Sequence, residues 1–177
     1  MPLPITSSDV NPVSLDTSAH VRRETTADFA HVLSQYVDVI VCRSNVHARI
    51  VELSKYSQCP VINGLTDLAH PCQALADLLT LQEQFGSLAG LRLAWVGDGN
   101  NMCATWLQAA ELLDFKVNIS TPSDYNIDPA KTNIKGTHHE WFEDPMDACK
   151  GADLVTTDVW TSMGFENENK ARRRAFA

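Results

Sequence analysis

A His-Pro pair opens the apolar stretch HPCQALADLLTL at residues 70–81, with Gln73 three positions after His70. Proline suits the first turn of a helix, where its missing N–H would be unpaired in any case. Leu75, Leu78 and Leu79 follow at helical spacing, which predicts a helix over 71–85 ended by Gly86. His70 and Gln73 then sit at its N-terminus, beside unpaired N–H groups and the positive end of the helix dipole. Such a place suits an anion or a polarised carbonyl. Three other polar sets could join them: Arg43 at the end of VDVIVCR, Asp98 to Asn101 within GDGNNM, and Asp158 to Met163 after ADLVTT. Taken singly, each also has an ordinary reading. Arg43 suits a surface arginine, His70 a satisfied polar group, Asp158 or Ser162 a turn cap, and 97–102 a tight turn without a ligand.

Helix and strand patterns alternate along the elements that must carry these groups. A helix is predicted over 24–37, a buried strand over 37–43, a short amphipathic helix over 47–58 and a strand over 59–64. Beyond the 71–85 helix come a strand at 91–97, a helix from Asn100 to Leu113 and a strand at 115–121. The polar stretch 123–144 reads mostly as loop. Asp144 caps a short helix at 145–150, a last strand covers 152–160, and the chain ends in a helix. This alternation implies an α/β fold of parallel sheets flanked by helices. Ligands of such sheets bind beyond the carboxyl ends of the strands, where Arg43, Asn63, His70, Asp98 to Asn101 and Asp158 to Met163 all fall.

Bulk composition narrows the classes. The 177 residues are 44% hydrophobic, with 22 acidic against 14 basic side chains and a formal charge of −8. Nucleic-acid binders show a basic face, and the one basic cluster, Arg172-Arg173-Arg174, reads as an exposed helix end. No apolar run approaches the roughly 20 residues of a membrane span, and no targeting segment is recognisable at the start. Five cysteines occur without a C-x-x-C pair, and four of them sit in apolar or helical stretches and read as reduced, small core residues, which implies a reducing compartment. Cys72 beside His70 is the one candidate for reactivity. His138-His139, without partners at metal spacing, reads as solvated surface. GDGNNM fits only the start of a dinucleotide fingerprint. Met102 stands at the third glycine, and the next strand ends NIST without the acid a ribose needs.

Three stretches in this order, VINGLTDLAHPCQALADLLTLQE, LRLAWVGDGNNM and TTDVWTSMGFENE, closely resemble the aspartate/ornithine transcarbamoylase family, and within it the ornithine type. H-P-x-Q is shared by transcarbamoylases in general, whereas D-x-W-x-S-M-G marks the ornithine type. The resemblance runs from about Glu24 to the C-terminus. It implies a partial carbamoyl-phosphate domain over 1–69, an interdomain helix over 70–86, and most of an ornithine-binding, Rossmann-like domain over 87–177. It implies transfer of a carbamoyl group from carbamoyl phosphate to the δ-amine of L-ornithine, giving citrulline and phosphate, as in arginine biosynthesis, with no cofactor or metal. By position, Arg43, His70 and Gln73 correspond to contacts of carbamoyl phosphate, with His70 and Arg43 catalytic. Asn101, Asp158, Ser162 and Met163 correspond to contacts of ornithine.

Departures from the family pattern carry their own expectations. The family's S-x-R-T-R phosphate cradle and its later H-C-L-P segment have no counterpart in these residues. This predicts weak or no turnover for the chain by itself, and leaves a non-catalytic, amino-acid-binding relic as the alternative. It also predicts apolar surface on the first sheet and weighs against the family's trimer. Cytoplasm is the expected location, or an organelle matrix. Neither nucleic acid nor membrane is an expected partner.

Overall fold

The computed structural model describes residues 24–127, 134, 136–159 and 168–176. Ser162 and Met163 lie outside the described residues. The elements run α1 (Thr26–Leu33), β1 (Ile40–Arg43), α2 (His47–Tyr56), β2 (Val61–Leu65), α3 (Pro71–Phe85), β3 (Arg92–Val96), α4 (Asn101–Leu113), β4 (Lys116–Ser120), β5 (His139–Trp141), α5 (Pro145–Cys149), β6 (Leu154–Thr156) and α6 (Asn169–Ala175). A single 3-10 turn covers Ser123–Tyr125. Among the described residues no helix is long and apolar enough to cross a membrane.

Two parallel sheets result, as the alternation predicts. The first pairs β1 with β2, placing Ile40 opposite Val61 and Val41 opposite Ile62. Ile40, Ala30 and Leu53 form a small core, with Phe29, Leu33, Tyr56 and Val61 packed around it. One face is therefore covered by α1 and α2. On the other face Val41 is 65% exposed and Ile62 43% exposed. The β-branched run at 37–43 was expected to be a buried strand; among the described residues only one face is covered, and the other shows the apolar surface expected on the first sheet. The register shifts between Cys42 and Arg43, so that Arg43 lies opposite Leu65 and Gly64 is left over. A Cβ at Gly64 would lie 3.2 Å from the Cys42 carbonyl oxygen and 3.3 Å from a Val41 methyl. The extra residue lies on β2, so the bend falls just before Leu65, opposite Arg43.

The second sheet has the order β5-β4-β3-β6. Leu93, Trp95, Val117 and Ile119 from its strands pack against Met102, Cys103, Trp106, Leu107 and Ala110 of α4, and against Ala74, Leu78 and Leu81 of α3. α4 is apolar almost all round, as a helix sandwiched between layers must be. Asn100 caps it, its side-chain oxygen accepting from the Met102 and Cys103 N–H groups; Asp144 caps α5 through the Met146 N–H. From β3 the chain goes first to β4 on one side, then returns to β6 on the other. The crevice between the carboxyl ends of β3 and β6 is thus the topological switch point, the usual ligand position of an open α/β sheet.

Three sequence expectations need correction. Residues 139–141, placed in a loop, form the edge strand β5; three residues are too few for an alternation to register. His138 and His139 are not solvated surface. His138 reaches Glu111 at 3.5 Å and Asp114 at 3.2 Å, and the His139 Nδ1 is buried. Of the five cysteines only Cys103 is fully buried, while Cys42, Cys59 and Cys149 are half-buried and Cys72 is exposed.

Gly99 marks the tightest backbone approach. A Cβ there would lie 2.3 Å from the Ile127 nitrogen and 2.6 Å from the Tyr125 carbonyl oxygen. Both are main-chain atoms and cannot swing away. Gly99→Ala is expected to cost about 1–3 kcal/mol through overpacking, read as a lower urea midpoint at unchanged slope.

Candidate active site at the sheet switch point

His70 is the N-cap of α3 and Pro71 occupies the first turn, as predicted. No side chain caps this helix, so the first-turn N–H groups keep their capacity for an incoming acceptor. The His70 main-chain N–H is itself anchored on the Thr105 hydroxyl at 2.9 Å. The ring is only partly exposed, and its Nδ1 is buried without a partner among the described residues. The Asn63 Oδ1, in the middle of β2, is in the same condition, while the Asn63 carbonyl accepts from the Cys72 thiol at 3.3 Å. Gln73 is exposed on the first turn of α3.

Electrostatics tie His70 to both sides of the crevice. Burial, and next the Arg43 guanidinium, hold its pKa below the ordinary histidine value; Asp158 and Asp77 push weakly the other way. The imidazole is therefore neutral at physiological pH and offers an N–H rather than a charge. Asp77 lies seven residues along α3, on the same face. Burial raises its carboxyl pKa and His70 lowers it. Asp77 had not been singled out from sequence, whereas Asn63 had been placed among the strand-end polar residues. A period-3.6 count from His70 would have found Asp77.

Opposite, β3 and β6 deliver the other groups. The Asn100 side-chain N–H donates to the Asp158 carboxylate at 2.9 Å, while its oxygen caps α4. Asp158 also accepts from the Val159 N–H at 2.7 Å. Asn101 donates from its side chain to the Thr66 carbonyl at 2.6 Å. Of the predicted residues, then, Arg43 and Asp158 both act electrostatically on His70. Asn101 joins the same crevice through Thr66, and Gln73 lies at its α3 rim. Asn100, one of the polar residues expected beyond β3, donates to Asp158 and so orients it. Among the described residues no three His, Cys, Asp or Glu side chains group as a metal site.

Arg172 corrects another reading. It is 6% exposed, not part of an exposed helix end. It pairs with Asp98 and with Glu168, and its guanidinium lies over the Tyr125 ring at 4.7 Å. This fastens α6 to the turn after β3. Arg173 and Arg174 are exposed.

Parallel sheets that gather an imidazole, side-chain amides and a carboxylate at the carboxyl ends of their strands define an α/β protein with polar groups at the usual ligand position of an open sheet. Comparison with known proteins gives the class a family. The carbamoyl-phosphate-binding domain model of aspartate/ornithine carbamoyltransferases matches residues 4–83, and the Asp/Orn-binding domain model of the same family matches 89–177. The chain belongs to the aspartate/ornithine carbamoyltransferase family. It is 55% identical over 157 residues to an ornithine carbamoyltransferase of Azoarcus sp. (strain BH72), covering 88% of this chain and 50% of that protein. The Aromatoleum aromaticum ornithine carbamoyltransferase is 56% identical, with 88% and 51% covered. Among solved structures, ornithine carbamoyltransferase from Pyrococcus furiosus superposes with a TM-score of 0.78 at 43% identity, covering 88% of this chain and 52% of that one. The Burkholderia thailandensis enzyme gives 0.76 at 48%, covering 78% and 48%. The chain spans about half the length of the curated relatives it matches.

Proposed function

We propose that the protein transfers the carbamoyl group of carbamoyl phosphate to the δ-amine of L-ornithine, releasing citrulline and phosphate. Carbamoyl phosphate lies over the α3 N-terminus, with Arg43, His70 and Gln73 directed at its carbamoyl group. Ornithine lies toward β3 and β6, with Asp158 facing its α-ammonium and Asn101 its amino-acid end. Ser162 and Met163 complete that end. On this reading residues 1–69 belong to the carbamoyl-phosphate side, 70–86 to the joining helix and 87–177 to the ornithine side. The cytoplasm, or an organelle matrix, suits its five free thiols.

The neutral δ-amine attacks the carbamoyl carbon. The new C–N bond drives negative charge onto the carbonyl oxygen, and the C–O bond to phosphate then breaks. One amine proton leaves with the departing phosphate or solvent. Arg43 and the neutral His70 supply donors where the oxyanion develops, and the helix dipole adds fixed positive potential. Holding both substrates in one crevice supplies the rest by orientation.

The observation that carries this reading is His70 at the N-cap of α3, its ring within the field of both Arg43 and Asp158. Groups suited to the two ends of the reaction thus meet at one imidazole. Offering L-ornithine and L-aspartate in parallel with carbamoyl phosphate tests it: citrulline is the expected product, and carbamoyl-aspartate as the major product would reject the ornithine assignment.

Asn100→Asp probes the ornithine side. The new carboxylate still caps α4 but faces Asp158 across the former hydrogen bond. Like charges at that distance force one to hold a proton. The KM for ornithine is expected to rise about tenfold, or roughly 1.4 kcal/mol, with the KM for carbamoyl phosphate little changed in the same assays.

A further inference from the structure

Two residues on opposite sides of the crevice are joined by a closed ring of hydrogen bonds. Asn101 donates from its side chain to the Thr66 carbonyl at 2.6 Å. The chain then runs four residues to His70, whose N–H donates to the Thr105 hydroxyl at 2.9 Å. That hydroxyl donates in turn to the Asn101 carbonyl at 2.6 Å. The ring is only as stiff as segment 66–70, and one hydroxyl organises that segment. Thr66 is fully buried, at 0% exposure. Its Oγ1 accepts from the Leu68 N–H at 3.3 Å and the Ala69 N–H at 3.1 Å, and reaches the Ala69 carbonyl at 3.2 Å. Its N–H donates to the same carbonyl at 2.8 Å.

His47, the first residue of α2, completes the arrangement from the other side. Its Nδ1 lies 3.0 Å from the Thr66 Oγ1, and its N–H donates to the Asp67 carboxylate at 3.0 Å. A hydroxyl has one proton. With its two lone pairs taken by the Leu68 and Ala69 N–H groups, that proton is shared between the Ala69 carbonyl and the His47 Nδ1. Two adjacent residues of the 66–70 segment are thereby fastened to the helix that follows Arg43.

We propose that Thr66, with His47 hydrogen-bonded to its hydroxyl, is the positioning residue that fixes His70 and Asn101 relative to each other. The inference rests on the carbamoyl-transfer reading for its catalytic meaning, since that reading places His70 at one substrate and Asn101 at the other. A side chain misplaced by about 1 Å can cost a hundredfold in rate, so a buried hydroxyl that touches no substrate can govern turnover.

The test compares Thr66→Val, Thr66→Ser and His47→Ala with the parent chain. Two readouts are taken: the kinetics with both substrates, and the His70 ring followed by nitrogen-15 NMR across pH. In Thr66→Val the loop loses its organiser. His70 loosens and hydrates, and its titration midpoint moves up toward the ordinary histidine value. The kcat falls about 10- to 100-fold, more than either KM changes, and Thr66→Ser restores both. His47→Ala, which removes no buried hydroxyl, gives the same signs at smaller size and carries the test if Thr66→Val does not fold. A folded Thr66→Val or His47→Ala chain with His70 titrating as in the parent, and with parental kcat, would overturn the proposal. If the parent transfers no carbamoyl group, the functional reading fails by itself; the His70 titration and the Asn101 side-chain amide resonances still decide whether Thr66 positions them.

Discussion

On the proposed carbamoyl transfer, His70→Ala is expected to lower kcat for citrulline formation by about 10²- to 10³-fold, the size of losing one preorganised oxyanion donor, and to leave the thermal midpoint near that of the parent. Two observations set these magnitudes. The ring lies at a helix entrance and its Nδ1 has no protein partner among the described residues, so removing it breaks no structural hydrogen bond of that atom. The His70 main-chain bond to Thr105 survives the substitution. In the proposed reaction the ring serves as a neutral donor, because burial and Arg43 hold its pKa down. The pH dependence has a defined sign. A histidine with a lowered folded pKa stays neutral until the pH falls below its ordinary value, and protonation then sets a second cation beside Arg43. The kcat should be flat through neutrality and change only on the acid side, and His70→Ala should remove that limb. A variant that unfolds would instead return His70 to a structural role.

Arg172→Met is expected to destabilise the fold by about 3–5 kcal/mol, because breaking a buried ion pair strands its partner. At roughly 2–4 °C per kcal/mol for a chain of this size, the thermal midpoint drops by about 10 °C. The stranded group is Asp98. Its carboxyl pKa already lies above the ordinary value through burial, against the opposing hydrogen bond and charge of Arg172. Without Arg172 it rises further. A carboxyl whose folded pKa exceeds its unfolded one binds protons more tightly when folded, so stability falls as pH rises through that pKa. The variant's deficit should therefore be largest at neutral pH and shrink on acidification toward the Asp98 pKa. Asp98→Asn with Arg172→Met should recover much of the loss, since neither a buried cation nor a buried anion is then left unpaired. Unchanged unfolding midpoints in Arg172→Met would mean that α6 is not fastened through this pair.

Local chemistry made much of the fold legible. Pro71 after His70 and Gly86 after the apolar stretch bounded α3, and Asn100 and Asp144 announced the starts of α4 and α5. The strand-then-polar pattern at Arg43, at 98–101 and at Asp158 located the crevice before any geometry was available. What stayed hidden was non-local. Consecutive arginines 172–174 look alike in a sequence, but a helix turns each about 100° from the last, and only Arg172 meets Asp98. That partner lies 74 residues away, and no periodicity records it. The Asn101–Thr66 and His70–Thr105 bonds each span 35 residues and are equally silent. The strand over 37–43 had the composition of a buried element, and composition says nothing of which face finds a cover.

The most direct measurement follows the carbamoyl carbon itself. The protein is incubated with carbon-13 carbamoyl phosphate and L-ornithine, and the label is traced by NMR beside a phosphate assay. Carbamoyl transfer at the His70 crevice predicts label in the ureido carbon of citrulline, with one phosphate released per citrulline formed. A folded chain that leaves the label to spontaneous decomposition, at the rate seen without protein, would contradict it and leave the crevice as a ligand-binding site only.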